Sequence, residues 1–371
     1  MTEHNKNLNW IQLLRGVAAL LVVLTHARYA LLNTDSFALA DQLLRPGAFG
    51  VDLFFLISGF IMCYSTAGAD GSPAYAARFL VKRWARVWPV YAVITILAIF
   101  VLQGGIDYFH YGDQRKALWH SLAMLPVNPH RAPYFDLTLG VGWTLEFEMY
   151  FYLVFAACLL FGRWRWLALA AWIALTVLVL PQGMALSVER DYGGSGYMNV
   201  VTNPFVLEFG AGVLIGWLYL QPWFRLPGRS QQLAWHVAGL GCAFAAWAIY
   251  SGAVGGHGPL NYGWPLALML AALALASKTV HLPAPPLALW LGGISYSLYL
   301  THLLTQRLVE QAMAWAGVAP LVHTWGYIFI STACAVSLAA LSHRYLEQGL
   351  SNRVRDWLLK PLARRPAGRP A

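Results

Sequence analysis

The chain has 371 residues, 58% of them hydrophobic and only 11% charged, and it carries 17 Trp, 18 Tyr and 18 Phe. A water-soluble domain carries about a quarter charged residues, so this composition excludes an ordinary soluble enzyme or scaffold. The formal charge of +9 needs no nucleic-acid partner, because an excess of Lys and Arg in the inner loops of a membrane protein produces it.

Ten apolar runs follow in chain order, near residues 10–32, 48–67, 87–103, 143–162, 164–180, 202–220, 233–250, 262–277, 287–306 and 321–345. A run of roughly 17–25 apolar residues spans a bilayer as a helix. The expected fold is therefore an all-α polytopic membrane protein with about ten transmembrane helices. The first run has no small-residue cleavage site after it and reads as a retained helix, not a signal peptide. One membrane domain is expected over 1–350, followed by a basic tail over 351–371. If the N-terminus is cytoplasmic, the inner segments carry 17 Lys and Arg and the outer ones seven. The positive-inside rule then places both termini in the cytoplasm. Cys63, Cys158, Cys242 and Cys334 all fall within apolar runs, without metal-type spacing, and read as small buried hydrophobes.

The first span, LLRGVAALLVVLTHARY, holds Arg15 and His26. Ionisable groups inside hydrocarbon are costly and usually functional. Eleven residues turn a helix about 20° past three full turns and raise it roughly 17 Å, so the two share one side, one above the other. At the outer level the same logic gathers Asp52 of the second span, Glu146 and Glu148 of the fourth, Glu208 of the sixth and His302 at the outer end of the ninth. The inner level is cationic: Arg83 and Arg86 at the start of the third span share a face, and Arg15, Arg344 and Glu347 approach them.

A histidine among carboxylates suits general-base chemistry on a hydroxyl, and clustered guanidinium groups suit phosphate. Together they fit an acyl thioester whose nucleotide end sits near the cytoplasm and whose acyl carbon reaches His26. Structural readings compete with these. Arg83 and Arg86 could be positive-inside anchors, Tyr and Trp near span ends could be interfacial belts, and Ser58 beside Gly59 a packing contact. The loop Gly104–Gly142 holds His110, His120 and His130, with spacing poor for zinc, and no metal is assigned. A proton-coupled transporter is the rival from another class, although its internal symmetry is missing.

Six stretches in order resemble the membrane acyltransferase-3 family: LRGVAALLVVLTH, GVDLFFLISGF, RWAR, WTLEFEMYFYL, SYSLYLTH and SHRYLEQ. The resemblance covers Leu13 to Arg353. It implies O-acyl transfer from acyl-CoA (acetyl-CoA by default, succinyl-CoA as alternative) to an exported or envelope carbohydrate at a bacterial plasma membrane. A lipid-linked or small-molecule acceptor is the alternative, and no tightly bound cofactor is implied. The resemblance makes His26 the essential histidine; the layer of acidic residues adds the expectation that Asp52 or Glu148 orients it. The resemblance also makes Arg15, Arg83 and Arg86 important for donor binding or catalysis; Arg344 is expected beside them as a donor-binding residue, and Trp143, Tyr296, Tyr299 and His302 are expected substrate contacts. An acyl-His26 intermediate is the minor variant. Met149, Tyr150 and Gly349 depart from the family pattern, and the appended SGNH hydrolase-like domain of some members is expected to be absent.

Overall fold

The structure, a computed structural model, describes residues 8–183, 185–193 and 197–363. Lys6 and the tail beyond residue 363, both counted in the charge asymmetry, lie outside these. Among the described residues there is no strand, and nine helical segments are long and apolar enough to cross a bilayer. The longer helices are α1 (Asn9–Ala27), α2 (Gly50–Ser65), α3 (Pro73–Leu102), α4 (Trp143–Leu159), α5 (Arg165–Ile173, continued as a π-helix to Val179) and α6 (Phe205–Leu220). Then follow α7 (Gln231–Tyr250), α8 (Trp264–Ser277), α9 (Pro286–Trp315), α10 (Trp325–Ser342) and α11 (Asn352–Ala363). The short apolar α4, 17 residues long, supplies the remaining crossing expected from the sequence. Large apolar side chains such as Phe100, Leu153, Leu214, Leu240 and Phe329 face outward, as they should where hydrocarbon is the solvent. Cys242 and Cys334 are exposed as well, so of the four cysteines only Cys63 and Cys158 are core residues.

Three boundaries differ from expectation, each for a local reason. Helix α3 starts at Pro73, not near residue 87, because Ser72 caps it by accepting the Tyr75 amide at 3.1 Å while Pro73 occupies the first turn. Arg83 and Arg86 thus lie inside the helix instead of at its start. Helix α9 runs nine residues past 306, since QRLVEQ remains amphipathic. Arg307 pairs with Glu310 at 2.8 Å, while Val309 and Met313 pack on Ala27, Leu31 and Tyr327. His302 is accordingly mid-helix, with an outer cap above it. Beyond α10 a π-helical turn, His343–Ser351, leads into α11, which packs on α3; residues 352–363 are helical.

Glycine sets the closest helix crossings. On α1 and α9, which run in the same direction, a Cβ on Gly292 would sit 2.0 Å from the Gln12 carbonyl oxygen and one on Gly16 2.9 Å from the Gly292 nitrogen. On α2 and α6, a Cβ on Gly212 would meet the Leu56 carbonyl oxygen at 2.0 Å. Backbone approach of this kind is how helices gain packing energy where no hydrophobic drive separates them from lipid. Gly292→Ala is therefore expected to lose at least about 1–3 kcal/mol from overpacking. Gly293→Ala, whose Cβ meets nothing within 4 Å, should be neutral or slightly stabilising. Melting temperatures of the two neighbours in detergent check this contrast.

Candidate active site

The face of α9 that meets α1 carries Gly292, Ser295, Tyr299, His302 and Gln306, at helical spacing. The Gly16–Gly292 crossing holds the two helices close enough for their polar side chains to pair. At the level of the crossing, Arg15 Nη2 donates to Ser295 Oγ at 2.9 Å. One turn above His302, Gln306 Nε2 donates to the Val23 carbonyl at 3.0 Å. Between them His26 and His302 face each other, with ring centroids 4.9 Å apart.

The hydrogen bonds of this pair fix its tautomers. His302 Nδ1 lies 2.7 Å from the Tyr299 carbonyl, an acceptor, so Nδ1 carries the proton and Nε2 keeps its lone pair. That lone pair points at His26 Nδ1, 3.3 Å away. His26 Nδ1 also lies 2.9 Å from the Val22 carbonyl. Both neighbours are acceptors, so His26 is protonated at Nδ1 and its Nε2 is left as a base. His302 is completely buried, whereas His26 is only half-buried.

Below the pair a cavity of about 110 Å³ passes between α1, α2, α3, α4 and α9. Its walls include Arg15, Arg83, Arg86, Glu148, Tyr296 and Tyr299. Tyr299 joins the two regions: it lines the cavity, and its ring centroid is 6.0 Å from that of His302. Its hydroxyl donates to the Val141 carbonyl and accepts from Thr144, both at 3.0 Å. The Tyr296 hydroxyl donates to the Val87 carbonyl at 2.6 Å. Arg83 and Arg86 open onto a second space of about 730 Å³, also lined by Arg78, Lys82, Glu347 and Arg355. Arg83 Nη2 donates to Ser65 Oγ at 3.1 Å and its guanidinium lies over Tyr152 at 5.6 Å. Among the described residues Arg15, Arg83 and Arg86 have no ion-paired carboxylate. Three guanidinium groups without an ion-paired carboxylate among the described residues suit an anion chemically.

The carboxylates do not form one outer layer. Glu148 lies in the arginine cavity, where Ser58 Oγ donates to it at 3.3 Å and the Tyr152 hydroxyl donates too. It sits five residues into the inward-running α4, too deep to meet His26. Asp52 also misses His26. It is fully buried and receives His257 Nδ1 at 2.7 Å and the Gly258 amide at 2.8 Å. Glu208, in the first turn of α6, is buried with both carboxyl oxygens unbonded. Glu146 is buried apart from these, with both oxygens unbonded. His302, not a carboxylate, is the group that orients His26. Arg344 is exposed, lies over Tyr345 at 5.7 Å and lines neither cavity, while Glu347 pairs with His343 at 2.9 Å and accepts from Ser297 at 3.1 Å. Trp143 is buried, with the Tyr134 ring 5.4 Å away edge-on.

His257 was not legible as a site residue. Burial alone would lower its pKa, but the Asp52 carboxylate outweighs burial, Glu189 adds to that, and the ring is held above its ordinary value. The available signal was its loop, SGAVGGHG, where glycines surround a lone histidine. In the loop Gly104–Gly142, His130 pairs with Asp191 at 2.8 Å on the surface, and no metal-type cluster occurs among the described residues.

Comparison with known proteins accords with this architecture. The family model described as "Acyltransferase domain" matches residues 8–341. The chain is 30% identical over 320 residues to the exopolysaccharide production protein ExoZ of Rhizobium meliloti, covering 83% of this chain and 92% of that protein. It is 29% identical to nodulation protein 10 of Rhizobium leguminosarum bv. viciae, covering 81% of each. It is 23% identical to the peptidoglycan O-acetyltransferase OatA of Listeria monocytogenes, covering 82% of this chain and 51% of that protein. No solved structure matches. The chain is a multi-pass membrane acyltransferase and belongs to the acyltransferase domain family.

Proposed function

We propose that the protein moves an acyl group, acetyl by default, from acyl-CoA on the arginine side of the membrane to a hydroxyl of an exported or envelope glycan on the histidine side. The observation that carries this reading is a cavity lined by three arginines without ion-paired carboxylates among the described residues and by Tyr299, whose ring is 6.0 Å from that of His302. The arginines suit the phosphates of the donor, and the rise of roughly 17 Å from Arg15 to His26 suits its extended pantetheine arm. The excess of Lys and Arg on the same side makes that side cytoplasmic.

In this mechanism His26 Nε2 takes the proton of the acceptor hydroxyl as the oxygen attacks the thioester carbonyl. The carbon–sulfur bond then breaks, the ester forms, and the CoA thiolate leaves and recovers the proton. His302 Nε2 accepts from His26 Nδ1–H and stabilises the imidazolium while the charge lasts. The hydroxyls of Tyr296 and Tyr299 already donate to backbone carbonyls, so an arginine is the better candidate to receive the developing oxyanion. Arg344, outside both cavities, is assigned no donor contact.

His302 acts here as a positioning residue. His302→Gln keeps a hydrogen-bonding group but not the imidazole geometry. It is expected to lower kcat by about 10- to 100-fold and leave the KM of acetyl-CoA unchanged. Steady-state kinetics of the purified variant in proteoliposomes measure this split. Equal loss of folded protein and of activity would make His302 a core residue only.

A further inference from the structure

The Asp52–His257 pair has no part in the mechanism above, and its geometry is that of a prepared binding group. Asp52 is fully buried in the first turn of α2, and His257 comes from the loop between α7 and α8. The loop is locked independently of the histidine. Gly258 adopts φ +111°, where a Cβ would strike Val188 at 2.8 Å, and Asn261 Nδ2 donates to the His257 carbonyl at 3.1 Å. With the loop already fixed and the Gly258 amide already bonded to Asp52, the additional bond from the carboxylate to Nδ1 orients the ring. It leaves Nε2 without a partner among the described residues, on a side chain that keeps 14% of its surface exposed. Trp143, Phe205 and Tyr262 wall the ring, with centroids 6.0, 6.1 and 6.2 Å away. Tyr134, 48% exposed, stands against Trp143 at the outer edge. An aromatic rim with one inward polar group is the composition of a small-molecule site. The loop joins the outer ends of α7 and α8, on the His26 side of the membrane.

We infer that His257, oriented by Asp52, is the acceptor-binding group, its Nε2 hydrogen-bonding a second hydroxyl of the glycan while His26 addresses the one that is acylated. A hydroxyl both donates and accepts, so it answers Nε2 in either protonation state of the ring. A loop clamp alone would not need an open Nε2. The inference rests on the proposed acyl transfer to a glycan and adds which residue selects the acceptor.

The test uses the full chain in proteoliposomes, acetyl-CoA as donor, and a de-esterified, mild-acid digest of the host's own envelope polysaccharide as acceptor probe. His257→Gln is expected to raise the KM of the digest by about tenfold or more, the loss of one hydrogen bond to a group left buried. The KM of acetyl-CoA, and acetyl-CoA hydrolysis without acceptor, should stay within about twofold, since neither uses the lost hydrogen bond. Asp52→Asn should shift the same constant in the same direction. An unchanged KM for the digest, or an equal fall in transfer and hydrolysis, overturns the inference while leaving the acyltransferase reading intact. A wild-type protein that transfers nothing to the digest contradicts that reading instead. In a second arm, diethyl pyrocarbonate added on the histidine side should modify His257, located by peptide mass analysis. A His257 that stays unmodified overturns the inference on its own.

Discussion

His26→Ala is expected to abolish acyl transfer, lowering kcat by about 10²–10⁴, while the protein folds and inserts normally. The argument is geometric. His26 is the half-buried member of the pair, its Nδ1 proton faces two acceptors, and its Nε2 lone pair is the only basic site that this arrangement leaves free. Its partner is completely buried and its own Nε2 is already used, so His302 cannot substitute for it. The side chain bonds only the Val22 carbonyl, which already accepts within the helix, and the neighbouring His302 ring. Loss of activity without loss of melting temperature in detergent is therefore the expected pattern. Labelled acetate transferred from acetyl-CoA to glycan, measured beside thermal stability, checks both halves. Ordinary activity in the variant would remove His26 from the mechanism.

The second large effect concerns the donor. Arg83→Gln and Arg86→Gln should each raise the KM of acetyl-CoA by about 10- to 100-fold, because a hydrogen bond to a charged group contributes roughly 1.5–3 kcal/mol. The two residues line the junction of the inner space and the cavity, and neither is ion-paired among the described residues. Removing them therefore breaks no internal salt bridge. Arg86→Lys should recover only part of the affinity, since an ammonium cannot present the planar fork of a guanidinium. Arg344→Gln, at an exposed site outside both cavities, should change the KM little. Initial-rate kinetics across acetyl-CoA concentrations separate these outcomes. Four variants with the same donor KM would mean that the arginines act only as membrane-side anchors.

What could be read from the chain alone was depth and periodicity, and these placed Arg15 and His26 on one side of α1. The same rules put Arg83 and Arg86 at an inner site, because helical spacing survives any error in where the helix starts. Depth misjudged the carboxylates. Residues at similar height on different helices need not face the same space, and only packing separates Glu148 in the arginine cavity from Asp52 under the 251–258 loop. His302 seemed to sit at a helix end because polar QRLVEQ ends the apolar run, yet the helix continues through it by packing Val309 and Met313 on the outer cap. His257 is not legible in the sequence because no periodicity governs a glycine-rich loop. Its role follows from a contact across 205 positions of chain, and contacts of that range are set by the tertiary fold.

Sidedness is the central claim, and a sided assay tests it directly. Protein reconstituted in one orientation should be given labelled acetyl-CoA on the arginine side and glycan digest on the histidine side, then the reverse. The mechanism requires labelled glycan in the first arrangement and none in the second, with the signal lost in His26→Ala. Equal labelling with acetyl-CoA supplied only on the histidine side would contradict it, because the donor would then reach His26 without passing Arg83 and Arg86.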